Sequence, residues 1–226
     1  MTQVETNGVT GLHAQQKIRV LIVDDHAILR RGLRQIISET DDMEVAGEAA
    51  NSSEAMRFVR NAECDVALLD ITMPDRNGIE TLELIKKEKP RIAVLILSMH
   101  AESQYAVRAI KAGAAGYLNK QSVPAQLVTA IRQVRQGRKF VTPDVAEQLA
   151  ESITRDSKAP AHQLLSNREF ETMRLLASGH SLTEACNHMH ISVKTVSVYR
   201  ARLLEKLGLK NNAELTHYAI KNNLVD

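Results

Sequence analysis

The stretch Cys64-Asp65-Val66-Ala67-Leu68-Leu69-Asp70-Ile71-Thr72-Met73-Pro74-Asp75-Arg76-Asn77-Gly78 decides the fold. Val66 to Leu69 is an unbroken apolar run, the pattern of a short strand buried on both faces. Asp70 closes the run. Pro74 and Asn77-Gly78 then mark a loop leading into a helix. An acidic residue at the carboxyl end of a buried strand stands where open α/β sheets hold their ligands. The same Asp would also suit a loop cap, so the choice rests on the rest of the chain.

On the amino-terminal side, Ile18 to Val23 reads as a strand followed at once by Asp24-Asp25-His26. Residues 27–39 carry Ile28, Leu29, Leu33, Ile36 and Ile37 at helical spacing. Met43 to Ala49 is a second strand, and Ser52 caps a helix running to about Asn61. On the other side, a helix covers 79–87 and a strand from Ile92 ends at Ser98. A helix over 102–112 stops at Gly113. The strand Gly116 to Leu118 ends at Asn119-Lys120, and a helix opened by Pro124 stops at Gly137. Five strands alternating with five helices imply a parallel sheet covered on both faces.

In such a sheet the strand ends share one edge, which brings together Asp24, Asp25, Asp70, Ser98 and Lys120. Three carboxylates repel one another and favour a bound hard cation; Mg²⁺ fits oxygen donors best. With that charge offset, Asp70 can act as a carboxylate nucleophile and hold an acyl phosphate. Lys120 can pair with one phosphoryl oxygen, and Ser98 can donate a hydrogen bond to another. Each residue alone fits a solvated loop equally well; their joint placement at four strand ends argues for the phosphoryl chemistry.

Residues 17–137 resemble the receiver domain of two-component response regulators. The motifs are Val23-Asp24-Asp25-His26, Leu69-Asp70-Ile71-Thr72-Met73-Pro74, Ile96-Leu97-Ser98 and Gly116-Tyr117-Leu118-Asn119-Lys120. The resemblance implies a flavodoxin-like (βα)5 fold in which Asp70 is phosphorylated by a histidine kinase. It implies that Asp25 and Asp70, with Asp24 through water, hold Mg²⁺, with the backbone carbonyl of Thr72 as a further ligand. It makes Ser98 and Tyr117 a switch pair, in which Ser98 moves to the phosphoryl oxygens and Tyr117 turns inward; the residue alone also reads as a half-buried strand tyrosine. Gln121 departs from the Pro that many receivers carry after the Lys.

Thr142-Pro143 opens a short helix to about Leu149, and the polar residues 154–163 form a linker. From Leu164 the pattern is purely helical. Ser166 with Glu169 makes a capping box, and that helix ends near Gly179. A short helix starts at Ser181, a third runs from a turn at Ile191-Ser192 to about Leu207, and a fourth covers about Asn212 to Asn222. Two short helices joined by a tight turn suggest a helix-turn-helix reader. From Lys194 to Lys210 there are five Lys or Arg against one Glu. Lys194, Thr195, Ser197, Val198, Arg200, Ala201 and Arg202 line the side and flank of the third helix, where basic and hydroxyl groups suit phosphates and small ones allow approach to base edges. A solvated amphipathic helix would carry the same run.

Residues 164–225 resemble the four-helix LuxR-type DNA-binding domain, through Leu165-Ser166-Asn167-Arg168-Glu169, Leu176-Ala177-Ser178-Gly179, Ile191-Ser192-Val193-Lys194-Thr195-Val196, Leu207-Gly208-Leu209 and Glu214-Leu215. The two resemblances together identify a NarL/FixJ-type response regulator. They divide the chain into a disordered lead (1–16), a receiver (17–137), a linker with a short helix (138–163) and a helix-turn-helix domain (164–226). They imply a homodimer when phosphorylated, a recognition helix at about 192–206, a dimerising last helix and double-stranded promoter DNA as partner. Tyr199 and Ser197 depart from the His and Lys frequent there. The scaffold helix Glu184 to His190 is less aliphatic than usual, which predicts looser packing. His188 and His190, without further ligands, do not make a metal site.

Composition agrees with this and adds limits. The 226 residues are 44% hydrophobic, with no Trp, so the cores are aliphatic. Net charge is +2, so a nucleic-acid partner has to be argued locally. No apolar run approaches the roughly 20 residues of a membrane span, and the start lacks a signal pattern, which points to the cytoplasm. Cys64 and Cys186 fall in separate domains and read as reduced core residues. Two rivals remain. An aspartyl phosphatase needs a carboxylate two residues after its nucleophile, where this chain has Thr72. A constitutive DNA binder would not need the intact acidic set. The chain is therefore not read as an enzyme, beyond slow hydrolysis of its own acyl phosphate.

Overall fold

A computed structural model of the chain describes residues 16–99, 102–154, 160–222 and 224–225. Most of the expected lead and part of the linker, 155–159, lie outside the described residues. The first half alternates β1 (Ile18–Val23), α1 (Ala27–Ser38), β2 (Met43–Ala49), α2 (Ser52–Asn61), β3 (Val66–Asp70), α3 (Gly78–Glu88), β4 (Ala93–Ser98), α4 (Glu102–Lys111), β5 (Gly116–Asn119) and α5 (Val123–Arg135). The five strands form one parallel sheet in the order β2-β1-β3-β4-β5.

Side-chain alternation along the strands splits the core in two. Leu21, Val23, Ala67, Leu69, Val94, Ile96 and Tyr117 face α2, α3 and α4. Val20, Ile22, Leu68, Leu95, Leu97 and Leu118 face α1 and α5. Every residue of β3 is buried, as its apolar run requires. Gly113 and Gly137 adopt positive φ, +103° and +78°, where they stop α4 and α5.

Three local details differ from expectation. The cap of α2 is Asn51, whose Oδ1 accepts from the Glu54 N–H at 2.9 Å. Ser52 is instead the first helical residue. Its N–H is taken by the remote carboxylate of Asp75 at 2.9 Å, and its hydroxyl accepts from Thr81 at 2.8 Å. Past α5, Phe140 pairs with the outer edge of β5, exchanging backbone hydrogen bonds with Ala115 and Tyr117 at 3.0 Å. The helix after it, α6 (Pro143–Thr154), has 12 residues and so outruns the short helix expected to end near Leu149. Its Val145 is buried and Leu149 packs against the same apolar cluster as α4.

The second half holds α7 (Asn167–Ala177), α8 (Leu182–Met189), α9 (Val193–Leu207) and α10 (Asn212–Lys221). Capping boxes at Ser166/Glu169 and Ser181/Glu184 satisfy the first N–H groups of α7 and α8. The turn between α8 and α9 passes through His190, in the left-handed region at φ 52°. Ala185, Cys186 and Met189 of α8 are buried, and the Thr172 hydroxyl meets the Met189 sulfur at 3.5 Å. Both cysteines are buried and free. No helix among the described residues is long and apolar enough to cross a membrane.

Candidate functional site

The register of the sheet sets the site. Asp70 ends β3 opposite Leu97, Ser98 ends β4 opposite Asn119, and Asp24 follows β1, its N–H bonded to the Ala49 carbonyl. Lys120, just past β5, places Nζ 2.8 Å from Asp24 Oδ2 and 2.7 Å from Asp70 Oδ2. A carboxylate oxygen has two lone pairs, so these two oxygens, with Asp25 Oδ1, keep capacity for another ligand. One donor atom each from Asp24, Asp25, His26 and Asp70 lies within 4.8 Å of the others. Three of the four are carboxylates, a donor set that fits a hard divalent cation such as Mg²⁺.

Burial lifts the Asp70 carboxyl to about 6; the Asp24 charge adds to the rise, and Lys120 and the Thr72 N–H at 3.3 Å oppose it. Burial also works against the Lys120 ammonium, but Asp70 and Asp24 outweigh it and hold the group above its ordinary value. Asp70 is thus mostly a carboxylate at neutral pH, ion-paired to Lys120. Ser98 and Tyr117 are 1% and 2% exposed. Tyr117 already lies inward, beyond the half-buried position a strand tyrosine would take.

Three residues of this region were not legible as site residues. His26 reads only as the last residue of the Val23-Asp24-Asp25-His26 motif, with no role of its own, yet its Nδ1 lies 2.8 Å from Asp25 Oδ1 and 3.2 Å from Asp24 Oδ1. Arg30 donates to the Asp24 carbonyl at 2.7 Å. Gly78 is packed so closely that a Cβ would sit 2.0 Å from the Asp70 carbonyl oxygen. The Asn-Gly pair signalled a turn; only the fold shows that the turn lies against Asp70.

The second candidate surface is α9. Ser192 caps it through the Thr195 N–H at 3.1 Å, and Val196, Leu203 and Leu204 face the core. Lys194, Ser197, Val198, Ala201 and Arg202 are exposed, while Thr195 and Arg200 are half-buried. The Thr195 hydroxyl meets that of Ser192 at 2.8 Å, and Arg200 Nε donates to Asn212 on α10 at 2.7 Å. Tyr199 packs against the core. On the far side of α8, the His180 and His188 rings meet edge to face at 4.9 Å.

Residues 20–132 match the family described as response regulator receiver domain, and residues 163–219 match bacterial regulatory proteins, luxR family. Response regulator UvrY of Escherichia coli is 35% identical over 208 residues, covering 92% of this chain and 95% of that protein. RcsB of Salmonella enterica serovar Typhimurium, solved bound to promoter rprA with the phosphomimetic BeF3⁻, superposes with a TM-score of 0.61 at 26% identity, over 90% of this chain and 98% of that one. A structure of two RcsB dimers bound to two parallel DNAs gives a TM-score of 0.56 at 27% identity, with the same coverage of each chain.

Proposed function

The chain belongs to the LuxR-type two-component response regulators, and from that premise we propose that a histidine kinase phosphorylates Asp70 and that the phosphorylated chain dimerises and binds promoter DNA through α9. The observation that carries the reading is the buried Asp70 carboxylate, ion-paired to Lys120 and sharing a four-donor cluster with Asp24 and Asp25.

An Asp70 oxygen attacks the phosphorus of the kinase's phosphohistidine. The N–P bond breaks, an O–P bond forms, and the imidazole leaves and takes up a proton. Asp24, Asp25, Asp70 and the Thr72 carbonyl would hold Mg²⁺, which when bound offsets the charge of the phosphoryl oxygens. Lys120, now bridging Asp24 and Asp70, turns to a phosphoryl oxygen. The acyl phosphate carries roughly −1.5 to −2 of charge where a carboxylate carried one. Ser98 is drawn to it, and the Tyr117 side repacks. Slow hydrolysis of the acyl phosphate by a water near Thr72 returns the chain to its start.

On the reading side, Lys194, Arg200 and Arg202 meet phosphates or guanine, while Ser197, Val198 and Ala201 approach base edges, with Thr195 at the helix start. Dimers place two copies of α9 on half-sites about one helical turn apart. The dimers and promoter complexes of RcsB support this arrangement. Residues 17–137, 138–163 and 164–226 serve as receiver, linker and reader, in the cytoplasm.

The test compares native protein with Asp70→Asn, with and without beryllofluoride and Mg²⁺. Sedimentation reads dimerisation, and anisotropy reads binding to a duplex selected from a random pool. Strengthening of both in the native protein alone is the expected result. Equal binding under every condition would mean that the pocket no longer controls the reader.

A further inference from the structure

The turn between α7 and α8 fixes one imidazole beside another. Gly179, at φ +90°, reverses the chain, and His180 closes the turn by donating its backbone N–H to the Leu175 carbonyl at 3.1 Å. The ring follows the backbone, since His180 Nδ1 meets the same carbonyl at 3.1 Å. A carbonyl only accepts, so the proton sits on Nδ1 and Nε2 carries the lone pair. Metal-binding histidines have this arrangement: one ring nitrogen tied to a carbonyl or carboxylate, the other left to the ion.

At the carboxyl-terminal end of α8, His188 brings its ring to 4.9 Å from that of His180, at 90°. Two imidazoles on one ion, each bound at about 2.0–2.1 Å, have ring centres about 5 Å apart. His180 is half-buried and His188 exposed, so both rings are open to an ion from solvent. Glu184 lies one turn before His188 on the same face of α8, and its carboxylate is within electrostatic reach of both rings. Its Oε2 accepts the Ser181 N–H at 2.7 Å, which holds that charge at the start of the helix. His188 thus has its imidazole neighbour in His180 rather than in His190, which occupies the left-handed turn before α9.

We propose that His180 and His188 form a binding site for a divalent ion of the zinc, copper and nickel kind, held by His180 Nε2 and one nitrogen of His188. The Glu184 carboxylate offsets part of the ion's charge, and waters complete the coordination. Imidazole suits these ions, whereas the carboxylate-rich pocket at Asp70 suits Mg²⁺. The bound ion ties the turn after α7 to the far end of α8, just before the turn into α9. It therefore braces the scaffold that presents the third helix of the domain. The site is independent of the reading of Asp70.

The experiment uses the full, untagged chain with isotope-labelled histidine. Mg²⁺ is kept saturating while Zn²⁺ is titrated. The imidazole nitrogen resonances are read residue by residue, each assigned from its histidine-to-glutamine variant. The expected result is that His180 Nε2 and one nitrogen of His188 shift together with a single half-saturation point, while His180 Nδ1 keeps its proton. His188→Gln changes an exposed side chain and leaves the tie to Leu175 intact. Losing a ligand costs at least as much as losing an outer partner, so the half-saturation point read at His180 should rise roughly 10- to 100-fold or more. An unshifted His180, or a His180 response that is the same in His188→Gln, overturns the proposal. A shift confined to His26 puts the ion in the acidic pocket and overturns it as well.

Discussion

Replacing Asp70 with Asn removes a costly buried charge from the receiver, and the variant is expected to be the more stable protein at neutral pH. Burial holds this carboxyl at about 6 against 3.8 for a free one. That gap corresponds to about 3 kcal/mol of stability lost on ionisation. Asn forgoes the ion pair with Lys120, which retains Asp24 at 2.8 Å, so the net gain is about 1–3 kcal/mol. A carboxyl raised in the native state binds an extra proton there, so native stability falls as pH rises from about 4 to about 6 and is level above that. The advantage of Asn opens over the same window and is absent below it. Calorimetric melting in EDTA is the assay. For a receiver of this size the variant should melt roughly 3–10 °C higher at about pH 7.5, and the gap should shrink at about pH 5. An equal or lower melting temperature for Asp70→Asn at the higher pH, or a gap that ignores pH, would refute the reasoning. Saturating Mg²⁺ should raise the native melting temperature and narrow the difference.

Lys120→Met leaves Asp24 and Asp70 facing each other without their cation and should cost about 3–5 kcal/mol in urea unfolding at neutral pH. His190→Gly relieves the left-handed backbone in the turn before α9; after the extra entropy of glycine it should stabilise the second domain by about 0.5–1 kcal/mol in thermal melts. Arg200→Ala should weaken binding to every duplex by a similar factor and lower the slope of log affinity against log salt by about 1. A loss confined to one sequence would instead make Arg200 a base reader.

Much of this protein is determined by the order of its residues. Apolar runs such as Val66 to Leu69 and the helical spacing of Leu33 and Ile37 are local periodicities, and their alternation allows few topologies other than a covered parallel sheet. Because strand ends in that topology share an edge, Asp24, Asp70, Ser98 and Lys120 could be brought together before any coordinates. The helix-turn-helix was legible for the same reason, through caps at Ser166 and Ser192 and stops at Gly179 and Gly208.

What only the tertiary structure decided depends on pairs far apart in the chain. Asn51 caps α2, and Asp75 accepts the Ser52 N–H because a loop 23 residues away comes to rest there. Tyr117 lies fully inward because α4 and the neighbouring sheet face enclose it. Asn77 and Glu171 are 94 residues apart, and nothing local to either marks the other as its partner. Tyr105 and Arg108 read as ordinary members of an amphipathic helix until Phe170 of α7 is placed against them. Periodicity tells a residue which way to face; which surface it meets there is set by packing, and the seam between the two domains is entirely of that second kind.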